Sequence, residues 1–397
     1  MAKAGQFLRH SYTCQPVCGP ARSAFQTGKY PTTTGCFRNG IPLPKESRTL
    51  AHHFSDAGYD TAYIGKWHLA DNEPVPKSER GGYKHWLAAN ILEFTSWAYD
   101  AVAYDDNNDQ IKLPGYRVDA LTDAAIRYVA QQHGSPFFMF LSFLEPHHQN
   151  QNDDYPAPIG YEERIRRTMT LPPDLAALGG TSQAHFPGYM GMVQRLDEAF
   201  GRLVDALHSL DMLDNTIILF SADHGCHFKT RNSEYKRSCH DASIRVPSLL
   251  HGPGFSGKGE FDGMVSLIDL PPTLLDAAGL PIPEEMQGRS LLNASLWDER
   301  HDQDVFVQIS EDHVGRALRT SQWKYEVGVP GMDGNLHPNS QRYVETHLYD
   351  LVADPYELNN LVSVPDFAPR RAELRARLLD RIDRAEQQRP EIVPGEA

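Results

Sequence analysis

The chain has 397 residues and a formal net charge of −14, with 40% hydrophobic and 23% charged residues. That size and composition allow a sizeable globular core, arranged as one large domain or as a large and a small one. The acidic balance excludes broad nucleic-acid binding, which needs a basic face, and no stretch approaches the roughly 18 apolar residues of a membrane span. Five cysteines, at 14, 18, 36, 226 and 239, are too few and too odd in number for a disulfide framework.

The opening "MAKAGQFLRH" carries no apolar leader region. As written, the chain is expected in the cytoplasm, with a periplasmic or secreted location expected if a leader lies upstream. Next comes "SYTCQPVCGPARSAFQTGKYP" (11–31), where Cys14 and Cys18 are each followed two residues later by proline. A disulfide, a metal knuckle, a thiol nucleophile and a cysteine destined for modification all place cysteine and arginine in such a turn. The ring closed by Cys14 and Cys18 is small and contains Pro16, which disfavours the first. Zinc prefers a C-x2-C pair with a second pair elsewhere, and a thiol nucleophile needs a base and an acyl substrate. A small buried cysteine is the plain alternative.

Short apolar runs then alternate with helix-period segments. "TAYIG" (61–65), "FFMFLSFL" (137–144), "TIILFSA" (216–222) and "PSLLHG" (247–252) read as buried strands, apolar on both faces. Asp119 and Gly134 bracket a helix whose stripe is Leu121, Ala125, Tyr128 and Val129. A second helix spans Tyr189 to Leu213, with Met192, Leu196, Phe200, Leu203 and Leu207 at spacings of three and four. This alternation predicts an α/β fold: a large, mostly parallel sheet sandwiched by helices. From about residue 300 the texture changes to "DVFVQIS", "GRALRTSQWKYEV" and "THLYDL", short antiparallel strands followed by a charged helix from Arg370 to Gln388. The expected division is therefore 1–300, a large α/β domain, and 301–397, a smaller α+β subdomain. Sites in α/β sheets form at the carboxyl ends of strands. Three such ends carry polar chemistry here: "GKWH", "EPHHQ" and "DHGCH".

Cys18-Gly19-Pro20-Ala21-Arg22 followed by "TGKYP" resembles the signature of the type I sulfatases, in the alkaline phosphatase superfamily. "GYDTAYIGKWH" (58–68) resembles the family's second signature, and "PHH" (146–148), "SADHG" (221–225), Lys236 before "RVP" and "LYDLVADPYELNNL" (348–361) follow in the family's order. The resemblance runs from the first turn almost to the C-terminus. It implies that Cys18 is oxidised to formylglycine by a formylglycine-generating enzyme during maturation, and that the aldehyde hydrate is the nucleophile. It further implies that Arg22 steadies the hydrate, on a helix starting near Pro20. Lys66 and Lys236 bind sulfate, His68 contacts the hydrate, and His147 serves the leaving oxygen, with His148 the competing candidate. Lys66 and His68 are expected on one side of the chain if the strand geometry continues. Asp223 and His224, with the modified Cys18, match metal ligands for Ca2+, with Mg2+ the other possible ion. His227, Lys229 and Arg231 are candidate substrate contacts; a solvated basic loop explains them equally.

The family also has a strand ending in an Asp-Asp pair upstream of the cysteine, whereas the seventeen residues before Cys18 contain no acid. The expectation is that this sequence enters the family pattern partway through, with the N-terminal strand missing. Gln26 stands where an apolar residue is usual, and His240-Asp241 where Tyr-Glu is usual. The expected activity is hydrolysis of a sulfate ester, of a sulfated carbohydrate by family analogy. A phosphonate or phosphate monoester hydrolase of the same superfamily is one alternative. A non-catalytic relative that binds sulfated glycans is the other. Oligomeric state is not readable.

Overall fold

The computed structural model describes residue 1 and residues 3–131, 135–292 and 303–395. The expected helix end at Gly134 and the division at 300–301 lie outside the described residues. The chain forms two compact units. One comprises Met1–Ile41, Pro173–Gly180 and Ile218–Ala397, the other Pro42–Pro172 and Thr181–Ile217.

In the first unit, four strands lie in the order Ile218–Phe220, Leu249–His251, Gln6–Tyr12, Gly259–Ser266. Gln6–Tyr12 runs parallel to Gly259–Ser266 and antiparallel to Leu249–His251. The helix Cys18–Thr27 follows directly, with Cys18 as its first residue and Pro20 in its first turn, where a missing N–H costs nothing. The same unit holds the predicted C-terminal subdomain. Asp304–Ile309, Val314–Thr320, Trp323–Val329 and Arg342–Asp350 form an antiparallel meander, and Glu391–Val393 joins parallel to the last of them. Helix Ala368–Glu386 presents Leu374, Leu378 and Ile382 at spacings of four to Leu318, Tyr325, Tyr343 and Leu348 of this sheet. Each such aliphatic side chain, fully buried, contributes roughly 1.5–3 kcal/mol.

The second unit has a sheet in the order Gln110–Leu113, Ala101–Tyr104, His85–Ala89, Asp60–Lys66, Phe137–Ser142. Asp60–Lys66 is parallel to both its neighbours, and the Ala101–Leu113 hairpin adds two antiparallel strands. Helices Arg117–Gln131 and Ser182–Ser209 belong to this unit, tied by Arg195 Nη2 to Asp119 Oδ2 at 2.7 Å.

The α/β class and the C-terminal sheet with its helix follow the sequence reading. Within each unit the sheet is mixed, parallel strands standing beside antiparallel ones. Phe137–Ser142 and Ile218–Phe220 were expected to be buried on both faces. Each lies at the edge of its described sheet and is largely half-buried. Among the described residues, no helix is long and apolar enough to cross a membrane.

Candidate active site

Cys18 opens its helix and is 1% exposed. The preceding Val17 offers no side-chain cap; Asn39 Oδ1 accepts the Gly19 N–H instead, at 2.9 Å. Asn39 is itself held by Glu311, whose Oε1 accepts the Asn39 N–H at 2.6 Å while Oε2 pairs with Arg237 at 2.6 Å. Nothing in the sequence pattern flagged Asn39 or Glu311, since both act across long separations. The helix start carries partial positive charge, which favours an anion beside Cys18.

Three side chains from the "SADHG" and "YKRSC" segments converge on this cysteine. Lys236 Nζ lies 2.7 Å from Cys18 Sγ and 3.0 Å from His224 Nε2, and His224 Nε2 lies 3.3 Å from the same sulfur. His224 donates from Nδ1 to the Gly225 carbonyl at 2.8 Å, which turns Nε2 toward the lysine and the sulfur. Gly225 is required: a Cβ there would stand 2.2 Å from the Ala242 carbonyl oxygen. Asp223 Oδ2 pairs with Arg22 Nη2 at 3.2 Å. Burial pushes the Asp223 carboxyl up, but His224, Arg22 and Lys236 outweigh it and hold it below the usual carboxylate range. Arg22, expected to reach back to the cysteine from one turn on, pairs its guanidinium with Asp223.

Cys18 Sγ, an Asp223 carboxylate oxygen and a His224 ring nitrogen all lie within 4.8 Å of one another. These donors fit one face of a divalent-cation shell. Calcium takes 6–8 oxygen ligands, so this sulfur, nitrogen and oxygen set does not by itself complete a calcium site.

The basic loop divides by geometry. His227 is fully buried; its Nε2 bonds the Lys236 carbonyl at 3.0 Å, and its Nδ1 accepts the Arg231 N–H at 3.4 Å. It braces the loop that carries Lys236 and is not positioned to touch a substrate. Arg231 donates to the Glu357 and Tyr356 carbonyls at 2.8 and 2.9 Å, which commits it to a tether. Lys229 is partly exposed, with φ 59°. Beyond them, Asp241 accepts from Lys324 Nζ at 2.6 Å and from Arg319 at 3.1 and 3.2 Å, so the residue replacing the family glutamate anchors the loop to the C-terminal sheet.

The other predicted residues belong to the second unit. Lys66 ends its strand, 1% exposed, with Nζ 2.6 Å from Glu93 Oε1, which is also buried. No motif pointed to Glu93, 27 residues downstream. Gly65 adopts φ +109°, and a Cβ there would lie 1.9 Å from the Ser142 carbonyl oxygen, so the signature glycine lets two parallel strands close up. The expected extended run through His68 is broken. Its φ of 60° turns the backbone left-handed, while its N–H still donates to Asn90 O at 2.7 Å.

His147 and His148 separate clearly. His147 Nδ1 donates to the His148 carbonyl at 2.7 Å, which fixes the orientation of the ring. His148 is 7% exposed and stacks on His147 at 4.8 Å, with Tyr155 on its other flank at 5.9 Å. Its surroundings suit packing. The turn is pinned by Arg117, which donates to Glu145 Oε1 at 2.9 Å, to the Ser96 carbonyl at 3.0 Å and to Gln149 Oε1 at 3.3 Å.

A cysteine at a helix start, with a lysine and a histidine against its sulfur, makes a site suited to an anionic group. Residues 1–280 match the family described as Sulfatase, and residues 234–384 match the family described as N-sulphoglucosamine sulphohydrolase, C-terminal. The chain is 31% identical to the Ulvan-active sulfatase of Formosa agariphila, across 95% of this chain and 74% of that protein. It superposes on the solved YidJ sulfatase candidate of Bacteroides fragilis with a TM-score of 0.83 at 23% identity, covering 97% of this chain and 89% of the other. A solved complex with the substrate D-glucosamine-2-N,6-O-disulfate gives a TM-score of 0.77 at 22% identity, covering 98% and 92%. The chain belongs to the sulfatase family, and it is a sulfuric ester hydrolase.

Proposed function

We propose that this sulfatase removes sulfate from a sulfated carbohydrate, using a formylglycine hydrate made from Cys18. The observation carrying this reading is the Lys236 ammonium 2.7 Å from Cys18 Sγ, with His224 Nε2 at 3.3 Å. The thiol sulfur stands in for the oxygens that the hydrated aldehyde would bear on the same carbon. The sugar preference draws support from the disulfated glucosamine of the solved neighbour and from the sulphoglucosamine-related C-terminal match.

In the proposed reaction one hydroxyl of the hydrate attacks sulfur as the ester S–O bond to the alcohol breaks, and the alcohol leaves protonated. The second hydroxyl then loses its proton, the C–O bond to sulfate breaks, and sulfate departs with regeneration of the aldehyde. Water restores the hydrate. Lys236 neutralises charge building on the sulfate oxygens, and the helix start adds to that field. Arg22 keeps Asp223 ionised and oriented. Lys66 as a sulfate ligand, His68 as the base for elimination and His147 as the acid for the leaving oxygen are assigned from the family motifs. His148 packs His147, and Lys229 is the residue of the basic loop proposed to contact substrate.

Asp223 and His224 would hold a divalent cation, calcium before magnesium, with the hydrate supplying a further oxygen. When bound, such an ion polarises the sulfate oxygens. We also propose that the chain divides functionally near residue 300 into a catalytic part and a C-terminal subdomain.

Mass spectrometry of the peptide spanning residues 10–29, from a host with the maturation enzyme, tests the nucleophile. An aldehyde or its hydrate is expected at Cys18, and an intact thiol overturns the reading in favour of a non-catalytic binder. Turnover of an aryl sulfate well above that of an aryl phosphonate is expected; the reverse makes the protein a phosphonate hydrolase.

A further inference from the structure

A cleft of about 320 Å³ opens in the second unit, in the lower range for small-molecule sites. One wall is the turn carrying Trp97, Tyr99 and Asp100; the other is the loop carrying Asn152, Asp154 and Pro156. Trp97 is 43% exposed and Tyr99 50%. Two large aromatic rings shown to solvent from one turn are unusual, because burying them is worth more than burying most other side chains.

The turn is built to keep them there. The Trp97 N–H donates to the Asp100 carbonyl at 3.1 Å, and the Asp100 N–H returns the bond at 3.2 Å. Tyr99 leans edge-on against Tyr116 at 5.3 Å, and its hydroxyl accepts the Ile159 N–H at 3.1 Å. Beneath it, the buried Arg117 binds the Ser96 carbonyl at 3.0 Å through its side chain and the Ala98 carbonyl at 2.7 Å through its N–H. The same guanidinium holds Glu145 and Gln149, on either side of His147. One buried cation therefore fixes both the aromatic wall and the histidine turn.

We propose that this cleft is a subsite for an uncharged, unsulfated pyranose ring of the carbohydrate substrate. The inference rests on the sulfated-carbohydrate reading above. A pyranose has an apolar C–H face for the aromatic wall and a rim of hydroxyls for acceptors such as Asp100, Asp154 and the Asn152 amide. No lysine or arginine is among the described residues lining the cleft, and Lys112 beside it is already taken up by Asp100, so a sulfated ring would meet carboxylates with little counter-charge. A compact organic cation is the other chemistry that aromatics and acids attract. Asp100 is already paired with Lys112 at 2.7 Å, and Asp154 Oδ1 accepts the Tyr155 N–H at 2.8 Å. Both aromatics also stand on one wall, so they do not surround a guest.

The test uses calorimetric titration of the full chain with maltotriose, xylotriose, tri-N-acetylglucosamine and tetramethylammonium, for wild type and Trp97→Ala. Saturable binding of at least one trisaccharide is expected, weakened tenfold or more in Trp97→Ala, with none for tetramethylammonium. No trisaccharide binding, no effect of the substitution, or preferential binding of the cation overturns the proposal. Aryl sulfate turnover of the wild type is read in parallel, as a separate measure of the sulfatase reading. Loss of that turnover in the wild type would instead sink the sulfatase mechanism and leave the binding result to stand alone.

Discussion

Lys236 Nζ sits 2.7 Å from Cys18 Sγ and 3.0 Å from His224 Nε2, so one buried ammonium joins two motifs 206 residues apart in sequence. Lys236→Met keeps the aliphatic stem and removes the charge. Steady-state kinetics on an aryl sulfate should show kcat/KM lowered by about 10²–10³, the usual cost of removing one donor to developing charge. The melting temperature should move little by comparison. Unchanged kinetics would remove Lys236 from the reaction.

Asp223 carries a pH signature. Its carboxyl is depressed below the usual value, so its stabilisation is present above about pH 4, the unfolded carboxylate range, and is lost as pH falls through the lower folded value. Thermal melts between pH 2.5 and 6 should therefore show a steeper acid limb in wild type than in Asp223→Asn. The same variant should bind less calcium by elemental analysis after equilibrium dialysis, and equal content would exclude it as a ligand.

The Lys66–Glu93 pair is almost wholly buried. Glu93→Ala strands an ammonium in the interior, and urea denaturation should show a loss of about 3–5 kcal/mol. Replacing both, as Lys66→Met with Glu93→Leu, should recover most of that loss. Activity should not return with it if Lys66 binds sulfate; full activity in the double variant would assign Lys66 a structural role alone.

His313 bonds Asp312 through Nδ1 at 2.8 Å and Glu326 through Nε2 at 3.1 Å. Burial opposes its charge, but these two carboxylates outweigh it and raise its pKa to about 10. The resulting stability is complete below the ordinary histidine value near 6.5 and is lost as pH rises toward 10. His313→Gln should cost about 2–4 kcal/mol at pH 6 by urea denaturation, and that difference should shrink by pH 10. A gap that is constant with pH would mean the imidazolium is not the stabilising form.

Much of this protein was legible in order along the chain. Apolar runs marked Asp60–Lys66 and Phe137–Ser142, helical spacing marked Arg117–Gln131 and Ser182–Ser209, the two glycine-containing signatures flagged Cys18 and Lys66, and the shorter motifs after them flagged Asp223 and Lys236. These are local signals: the side chains that create them are neighbours in sequence, and steric fit acts at short range. The partner of each charge was not local. Glu93 for Lys66, Asp223 for Arg22, Asn39 for the Gly19 N–H and Arg117 for the histidine turn were set by strands and loops meeting across tens to hundreds of residues. The burial of His148 and the engagement of both ring nitrogens of His227 likewise came from contacts that no local pattern shows. Sequence determined the reactive groups and the class of chemistry, because residue type fixes what an atom can do. Tertiary structure decided which of those atoms carry compensated charge and which face a cavity, because both depend on distances that no spacing along the chain encodes.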